Sequence, residues 1–303
     1  MRRKIDIMPR LLIAGCGYLG QAVADLFVDE NWEVEGWTMS PESAQQLSSK
    51  PYSVLAVDIS QEKQLRTQKG DFDAVIHCAS TRGGDADLYR RVYLNGARYL
   101  RARFAASTIL FTSSTSVYAQ NDGDWVTEGS LAEPKHESGR ILRKAEDLVL
   151  ANRGIVIRLA GIYGPGRSAL LRKFLNGDAI LDPENDRFVN QIHRDDAAAA
   201  IAWLLKREES FGEVYNVVDN QPIPQSECYR FLATKLNRPF PPAGRLTRLR
   251  ETTARQVSKR KRGESNKRVS NAKLRAAGWS PRYSSFADGM ERSILPNLSR
   301  ESA

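Results

Sequence analysis

The stretch GCGYLG (15–20) decides the fold, because it stands between an apolar run and an amphipathic segment. The apolar run RLLIAG (10–15) predicts a buried strand. The segment AVADLFVDENW (22–32) then repeats apolar residues at the spacing of one helical face. A G-x-G-x-x-G turn between a strand and a helix is typical of dinucleotide-binding domains, whereas the same spacing elsewhere carries little weight.

Each glycine of this turn has a predicted part in binding a dinucleotide. Gly15 permits the tight turn, Gly17 lets backbone N–H groups approach a pyrophosphate, and Gly20 lets the helix pack closely on the strand. The first helical turn, which includes Tyr18 and Leu19, then attracts the phosphates through its N–H groups. The alternative is a glycine-rich turn that binds no ligand. The strand–helix units that follow favour dinucleotide binding.

The chain continues with alternating predicted strands and helices. Residues 88–104 place Leu88, Val92, Leu100 and Phe104 on one helical face. Strands that are apolar throughout and separated by helices predict a parallel sheet with helices on both faces. The predicted strands after the first are EVEGWT (33–38), YSVLAVD (52–58), DFDAVIHCAS (71–80), STILFTSS (107–114) and GIVIRLAG (154–161).

The pattern becomes less regular after Gly161. Glycine and proline cluster in IYGPGR (162–167), and the later elements are shorter. Ser270 is the expected N-cap of the last predicted helix. The elements predicted here are helices over 195–208, 224–239 and 270–281 and a strand over 213–219.

The composition is that of an ordinary globular protein. The 303 residues are 41% hydrophobic and 27% charged, and no apolar run reaches the length of a membrane span. The first ten residues, MRRKIDIMPR, lack the apolar core of a secretory signal. Three distant cysteines, Cys16, Cys78 and Cys228, suggest neither a disulfide framework nor a metal site. We therefore expect a cytoplasmic protein without a metal centre.

The net charge of +9 is unevenly distributed. Residues 239–303 hold 15 Lys and Arg against 5 Asp and Glu, a net charge of +10, and KRKRGESNKR (259–268) is the densest part. A nucleic-acid-binding stripe is one interpretation. No aromatic residue interrupts the run and no nucleic-acid-binding motif precedes it. We favour a solvated basic face or a clamp on a small phosphorylated ligand over nucleic acid.

The end of the second predicted strand bears on the choice between NAD and NADP. An acidic residue there would bind the ribose 2′-hydroxyl of NAD. The strand instead ends in WTMS (37–40), and Glu35 lies inside it. The hydroxyls of Thr38 and Ser40 could donate to a 2′-phosphate, although no arginine is adjacent. The pattern favours NADP.

Five further stretches form a series along the chain. They are VIHCAS (75–80), FTSSTSVYA (111–119), RLAGIYGPG (158–166), NQIHRDDAAAAI (190–201) and EVYNVVD (213–219). In this order they resemble the extended short-chain dehydrogenase/reductases, in particular the NAD-dependent epimerase/dehydratases of nucleotide sugars.

The resemblance implies an α/β fold, a Rossmann doubly wound parallel sheet with a smaller C-terminal α+β substrate domain. Residues 8–163 would form the NAD(P)-binding Rossmann domain, with 189–219 returning to it, and 164–303 would form the substrate-binding part. The resemblance also implies a nucleotide-sugar substrate and a homodimer through helices 88–104 and 139–151.

Several residues acquire expected roles from the same resemblance. Asp58 and Ile59 would flank the adenine, and Ala79 and Ser80 would lie along the cofactor. Asn95 corresponds to the family's helix asparagine and would belong to the cofactor-binding residues.

The substrate would be met by residues of later motifs. Ser114 would bond to its hydroxyl or carbonyl group, and Tyr163, Gly164 and Arg167 would lead into the sugar-nucleotide pocket.

The sequence departs from the family at the pair that transfers the proton. Members carry Tyr-x-x-x-Lys on the helix after the fifth strand, but PKHESGRILRKAE (134–146) contains no tyrosine. Alignment on Glu146 puts Ser138 and Leu142 at the two positions, and neither side chain can replace the pair.

Alignment two residues earlier gives a different pair. His136 could then transfer a proton, and Arg140 could hold ribose hydroxyls. The alternative is that His136 is an exposed loop residue and that Arg140 belongs to a solvated face. We expect His77 and His193 to be structural, and Tyr118 as well.

Two functions remain open from the sequence. The first is an NAD(P)-dependent epimerase/dehydratase-like oxidoreductase acting on a nucleotide sugar or a related polar carbonyl or hydroxyl compound. The Ser114 segment and the Y-G-P-G segment favour it. The second is a catalytically silent NAD(P)-binding sensor or scaffold, which the missing Tyr–Lys pair favours.

Overall fold

The computed structural model describes residues 8–81, 83–244 and 265–298. Most of the basic stretch 259–268 lies outside these residues. No helix in the described part is both long enough and apolar enough to span a bilayer.

The elements of the described residues alternate as expected over the first half of the chain. The strands are β1 (Arg10–Ala14), β2 (Glu33–Thr38), β3 (Ser53–Ala56), β4 (Ala74–His77), β5 (Thr108–Ser114), β6 (Trp125–Val126), β7 (Ile155–Leu159), β8 (Gly161–Tyr163), β9 (Phe188–Val189), β10 (Gln191–His193), β11 (Val214–Val217), β12 (Ile223–Pro224) and β13 (Arg268–Val269).

The α-helices range from single turns to fourteen residues. They are α1 (Tyr18–Asp29), α2 (Pro41–Gln45), α3 (Glu62–Thr67), α4 (Ala86–Tyr89), α5 (Gly96–Arg103), α6 (Glu137–Leu150), α7 (Ala169–Leu175), α8 (Arg194–Leu205), α9 (Gln225–Leu236), α10 (Ala272–Ala276), α11 (Phe286–Gly289) and α12 (Leu295–Leu298). A π-helical turn, Arg90–Asn95, joins α4 to α5, and another, Met290–Ile294, joins α11 to α12.

The chain divides into two compact units. The first comprises residues 8–81 and 83–117, Glu133–Arg158 and Ala198–Tyr215. The second comprises Tyr118–Ala132, Leu159–Ala197 and, from Asn216 onward, the described residues 216–244 and 265–298. The chain therefore leaves the first unit before residue 163 and returns over a shorter segment than 189–219.

The first unit is built on a seven-stranded sheet in the order β11-β7-β5-β4-β1-β2-β3. The pairs β1–β2, β1–β4, β2–β3 and β4–β5 are parallel, which confirms the doubly wound α/β prediction. Leu11 to Ala14 are completely buried. The strands β1 to β3 extend to one side of the sheet, and β4 begins the other side, next to β1. Sheets of this type bind ligands in the crevice at this point, outside the carboxyl ends of β1 and β4.

The predicted strand 154–161 is two strands in the structure. Ala160 N–H donates to the Val217 carbonyl, whereas Gly161 N–H donates to the Asn190 carbonyl, at 3.1 Å in each case. The backbone changes hydrogen-bonding partner between these residues, so β7 ends and β8 begins. An apolar run carries no signal for such a change.

The second unit holds three two-stranded sheets, β8–β10, β9–β12 and β6–β13. Its core lies among α7, α9 and the C-terminal helices and includes Tyr163, Phe174, Tyr229, Phe286 and Met290. The last long predicted helix, 270–281, is much shorter as α10.

The N-cap of α10 is also shifted from the prediction. Asn271, not Ser270, occupies it, and the Ser270 hydroxyl accepts from Ala272 N–H at 3.2 Å. Serine still satisfies a backbone donor at the helix start, but from one residue earlier.

Candidate cofactor and active site

The glycine turn after β1 is packed tightly against the neighbouring strands. The N–H groups of Gly15 and Cys16 donate to the Trp37 carbonyl at 3.0 and 2.7 Å. Gly15 has a φ of +111°, and a Cβ there would lie 2.2 Å from the backbone nitrogen of Ala79. A side chain at residue 15 would therefore be excluded by both backbone conformation and space.

The other two glycines have different roles, since Gly20 allows close packing and Gly17 leaves the backbone accessible. A Cβ on Gly20 would lie 2.4 Å from the Gly15 carbonyl oxygen, so Gly20 lets α1 approach the turn. A Cβ on Gly17 would meet nothing within 4 Å among the described residues. Gly17 is the N-cap of α1, and no described side chain caps this helix. The open backbone beside uncapped N–H groups fits a dinucleotide pyrophosphate.

The end of β2 presents hydroxyl groups that already have local partners. The Thr38 hydroxyl donates to the Ser40 carbonyl at 3.3 Å, and the Ser40 hydroxyl accepts from Ser43 N–H at 3.3 Å as the N-cap of α2. Glu35 accepts from the Trp37 indole at 2.7 Å. No carboxylate follows Thr38 before α2 begins, so this end offers no acid to a ribose 2′-hydroxyl.

The residues after β3 and β4 differ in exposure. Asp58 caps its own turn, with Oδ1 accepting from Ser60 N–H at 2.9 Å. Ile59 is only 5% exposed, whereas Ala79 is half-buried and Ser80 is exposed. Ile59 is therefore largely a packing residue, and Ala79 and Ser80 form the accessible margin beside Gly15.

Ser114 ends β5 with a fixed side chain. Its hydroxyl oxygen accepts from Ser116 N–H at 3.1 Å, at the start of a 3₁₀ turn. No acceptor for its own O–H is found in the described part of the chain. The hydroxyl is thus oriented and has a proton to donate to a ligand.

A buried carboxylate fixes the helix that follows. Glu146 on α6 is fully buried and accepts from the Ser113 hydroxyl at 2.5 Å and from Arg158 Nη2 at 2.7 Å. Arg143 also contacts it and pairs with Asp147 at 2.6 Å. These contacts tie α6 to β5 and β7.

The register of α6 separates the two alignments left open by the sequence. Leu142, one turn before Glu146, is 4% exposed, and Ser138 is half-buried. His136 is exposed at the N-cap, and Arg140 is exposed and donates to the Lys135 carbonyl at 3.1 Å. The buried face of α6 therefore carries Leu142, and the His-x-x-x-Arg alignment faces solvent.

The π-helical turn between α4 and α5 brings a tyrosine inward that the sequence analysis missed. Tyr93 is 9% exposed, and its hydroxyl accepts from Thr81 N–H at 3.4 Å. The Asn95 amide oxygen instead accepts from Arg98 at 3.3 Å along the helix. A regular helical period over residues 88–104 does not indicate that Tyr93 is buried, because a π-helical turn departs from that period.

The two buried histidines are structural, as predicted. His77 Nε2 lies 3.1 Å from the Val92 carbonyl oxygen, and His193 Nε2 lies 3.0 Å from the Ser293 hydroxyl. Burial lowers the pKa of each to about 4, so both are neutral at pH 7. The Tyr118 hydroxyl donates to Asn216 at 2.9 Å, which confirms its structural role.

The predicted substrate residues of the second unit are only partly accessible. Tyr163 is completely buried, donates to the Ser285 carbonyl at 3.2 Å and packs where a Cβ on Gly289 would be 2.1 Å away. Its side chain therefore belongs to the core and cannot touch a substrate in this structure. Gly164 and Arg167 form a tight turn with two backbone hydrogen bonds, and Arg167 is exposed.

Comparison with known proteins agrees with this fold and turn. The model of the NAD-dependent epimerase/dehydratase family matches residues 11–217. The chain belongs to this family. Membership supports an NAD-dependent oxidoreductase-like role and binding of a nicotinamide dinucleotide.

Three similar proteins illustrate the spread of the family. Protein YeeZ of Escherichia coli is 30% identical over 223 residues, which are 69% of this chain and 77% of YeeZ. The 2′-dehydrokanamycin reductase of Streptomyces kanamyceticus is 25% identical over 198 residues, which are 59% of this chain and 56% of the reductase. A candidate NAD-dependent epimerase/dehydratase from Methylobacillus flagellatus has 26% identity and a TM-score of 0.74, over 96% of this chain and 99% of that one.

Proposed function

We propose that the protein is an NAD(P)-dependent oxidoreductase of the epimerase/dehydratase type that acts on a nucleotide sugar or a related polar carbonyl or hydroxyl compound. The open backbone at Gly17, beside the uncapped start of α1, carries the proposal. The similarity to a protein named as a reductase supports reduction of a polar carbonyl group.

The residues of the first unit have distinct proposed tasks. Gly15, Gly17 and Gly20, with the N–H groups of Tyr18 and Leu19, hold the pyrophosphate. When bound, the nicotinamide supplies or accepts a hydride.

The remaining proposed contacts lie along the carboxyl edge of the sheet. Asp58 lies at the adenine end, and Ala79 and Ser80 lie along the cofactor. Ser114 donates its O–H to the substrate oxygen, because its own oxygen is already oriented by Ser116.

The preferred cofactor is NADP. The absence of a carboxylate directly after Thr38 removes the group that would repel a 2′-phosphate. Fluorescence titration with NADPH and NADH tests this proposal, and tighter binding of NADPH is expected. Tighter binding of NADH would refute it.

Turnover tests the activity itself. NADPH oxidation is measured with a panel of nucleotide sugars bearing keto groups, using the wild type, Ser114→Ala and His136→Ala. We expect Ser114→Ala to lose turnover while retaining cofactor affinity. Because His136 is exposed, we expect His136→Ala to retain both. Loss of turnover in His136→Ala alone would restore the His-x-x-x-Arg alignment.

A second function, a catalytically silent NAD(P)-binding sensor or scaffold, is favoured by one observation. The buried face of α6 presents Leu142 where family members have a lysine. Tight cofactor binding without turnover on any compound of the panel would support this alternative and refute the oxidoreductase.

Two wider proposals concern assembly and location. Family resemblance suggests a homodimer through helices 88–104 and 139–151, and sedimentation equilibrium would test it. The cysteine usage suggests the cytoplasm.

A further inference from the structure

The carboxyl edge of the sheet holds a tyrosine hydroxyl that does not come from α6. Tyr93 lies in the π-helical turn before α5, and its hydroxyl accepts from Thr81 N–H at 3.4 Å. Thr81 directly follows Ala79 and Ser80, the margin proposed to lie along the cofactor. The hydroxyl proton of Tyr93 is not used in this contact, because the oxygen acts as the acceptor.

The ring of Tyr93 is held against the ends of two central strands. It stacks on His77 of β4 with 6.3 Å between centroids and an interplanar angle of 14°. It also meets Phe111 of β5 edge-on at 6.3 Å. Phe111 precedes Ser114 by three residues on the same strand. The phenol is therefore fixed on the strands that end in the proposed cofactor margin and in Ser114.

The backbone around Tyr93 is π-helical rather than α-helical. A π-helical turn accommodates an extra residue and is frequent at functional sites. Here it buries Tyr93 and Leu94 in succession and leaves Asn95 bonded to Arg98. The π-helical turn therefore carries the tyrosine whose ring stacks on His77 of β4.

The other polar groups near this edge are less suited to transferring a proton. Burial lowers the pKa of His77 to about 4, so it is neutral, and its Nε2 faces the Val92 carbonyl. His136 and Arg140 face solvent on α6. The Thr81 hydroxyl is buried and has no hydrogen-bond partner among the described residues, so this edge retains polar capacity for a ligand.

We propose that Tyr93 is the proton donor of this site, in place of the tyrosine that α6 lacks. The inference rests on the proposed function. In the reducing direction, a hydride from the reduced nicotinamide adds to the carbonyl carbon, and the carbonyl oxygen takes the Tyr93 phenol proton. The products are the alcohol, the oxidised cofactor and a tyrosinate, which takes a proton from water.

The decisive variant is Tyr93→Phe, which keeps the ring and removes the hydroxyl. We expect turnover to fall by about 10²- to 10⁴-fold, as for loss of a general acid, while cofactor affinity is unchanged. Tyr99→Phe is the matched control, since Tyr99 is a half-buried tyrosine of the adjoining α5. We expect it to keep full turnover. Full turnover in Tyr93→Phe would overturn the proposal.

A second measurement does not depend on turnover. The positive nicotinamide of the oxidised cofactor should favour the phenolate of an adjacent tyrosine. Ultraviolet titration should therefore show tyrosinate at lower pH when NADP⁺ is added to the wild type or to Tyr99→Phe, but not to Tyr93→Phe. The neighbouring titratable groups are Tyr89, whose ring centroid is 5.0 Å away, and the neutral His77.

The two measurements separate the inference from the function on which it rests. An active wild type without the cofactor-induced tyrosinate, or with the same signal in Tyr93→Phe, would overturn the role of Tyr93 alone. A wild type that shows the signal but converts no compound of the panel would overturn the oxidoreductase and, with it, the part of Tyr93 in the reaction.

Discussion

The glycine turn after β1 and the first half of α6 both belong to the first unit, and they differ in what they leave accessible. In the turn, Gly15 and Gly20 are enclosed by neighbouring backbone, whereas Gly17 opens onto free space. In α6, Leu142 is enclosed, and the accessible residues His136 and Arg140 face solvent. Packing thus leaves an accessible ligand-binding backbone in one region and none of the usual proton-transfer groups in the other.

This difference shows that the contacts that hold α6 in place can be present without the usual proton-transfer residues. Glu146 still joins α6 to Ser113 on β5 and to Arg158 on β7. A buried charge network holds α6 in place, whereas the Tyr–Lys pair that this helix lacks requires two particular side chains. The cofactor half of the site is unaffected, because the glycine turn uses backbone atoms.

The first prediction tests whether the buried contacts of Glu146 hold α6 in place. In Glu146→Gln the buried Arg158 guanidinium loses its charged partner, so the free energy of unfolding should fall by about 3–5 kcal/mol. Urea unfolding measures this change. The control is Asp147→Asn, which removes an exposed pair on the same helix and should cost about 1 kcal/mol or less. Equal losses of unfolding free energy in the two variants would show that the buried contacts of Glu146 contribute no more than the exposed pair.

The second prediction tests whether Gly15 is needed for packing and Gly17 for ligand binding. Gly15→Ala should cost about 2–4 kcal/mol of stability, because the new Cβ meets the Ala79 backbone at a positive φ.

Gly17→Ala is the matched control, since its Cβ enters open space. Its stability should change by about 0.5 kcal/mol or less. Its affinity for NADPH should nevertheless fall, because the methyl group occupies the approach to the backbone. Unchanged NADPH affinity, measured by fluorescence titration, would mean that the pyrophosphate does not lie at Gly17.

The sequence predicts the turn and the sheet well because both depend on local rules. Only glycine fits the conformation and space of Gly15, and the apolar runs of β1, β4 and β5 match the burial of these strands apart from some terminal residues. The helical period of residues 88–104 selects Leu88, Val92, Leu100 and Phe104, and the family resemblance selects Asn95, so neither line of reasoning selects Tyr93. In the structure a π-helical turn carries Tyr93, whose ring packs on His77 and Phe111 from other parts of the chain.

The register of α6 is a second property that the sequence leaves open. The stretch 134–146 allows two alignments with the family's pair, because it can be aligned on Glu146 or two residues earlier. Only the burial of Glu146 against Ser113 and Arg158 decides which face points inward. Long-range contacts of this kind have no signature within a single helix.

A third prediction concerns acid stability and the buried histidine beneath Tyr93. The folded-state pKa of His77 is about 4, below its ordinary value of 6.5, because burial disfavours the charged ring. The folded state therefore binds fewer protons, so stability is fully present above pH 6.5 and is lost as the pH falls toward 4. The loss should reach at most about 3 kcal/mol.

Urea unfolding at several pH values measures this loss, with His77→Gln as the test variant. Other groups act in the same range. His193 behaves like His77, whereas the pKa of Asp196 is raised to about 6 by burial, so protonation of Asp196 stabilises the fold as the pH falls below 6. The contribution of His77 is therefore the difference in slope between variant and wild type. Identical slopes would show that His77 does not lie in the buried position beneath Tyr93.

The last prediction concerns the two solvent-exposed residues at the start of α6. His136→Ala and Arg140→Ala should each change the free energy of unfolding by about 0.5 kcal/mol or less, because both side chains are exposed. Neither should alter the affinity for NADPH, since neither lies on the buried face with Leu142. A marked fall in NADPH affinity in Arg140→Ala would instead assign its guanidinium to the cofactor ribose. In that case Arg140 would take the place of the family's lysine in the His-x-x-x-Arg alignment. The start of α6 would then present a cofactor-binding group, as the glycine turn does.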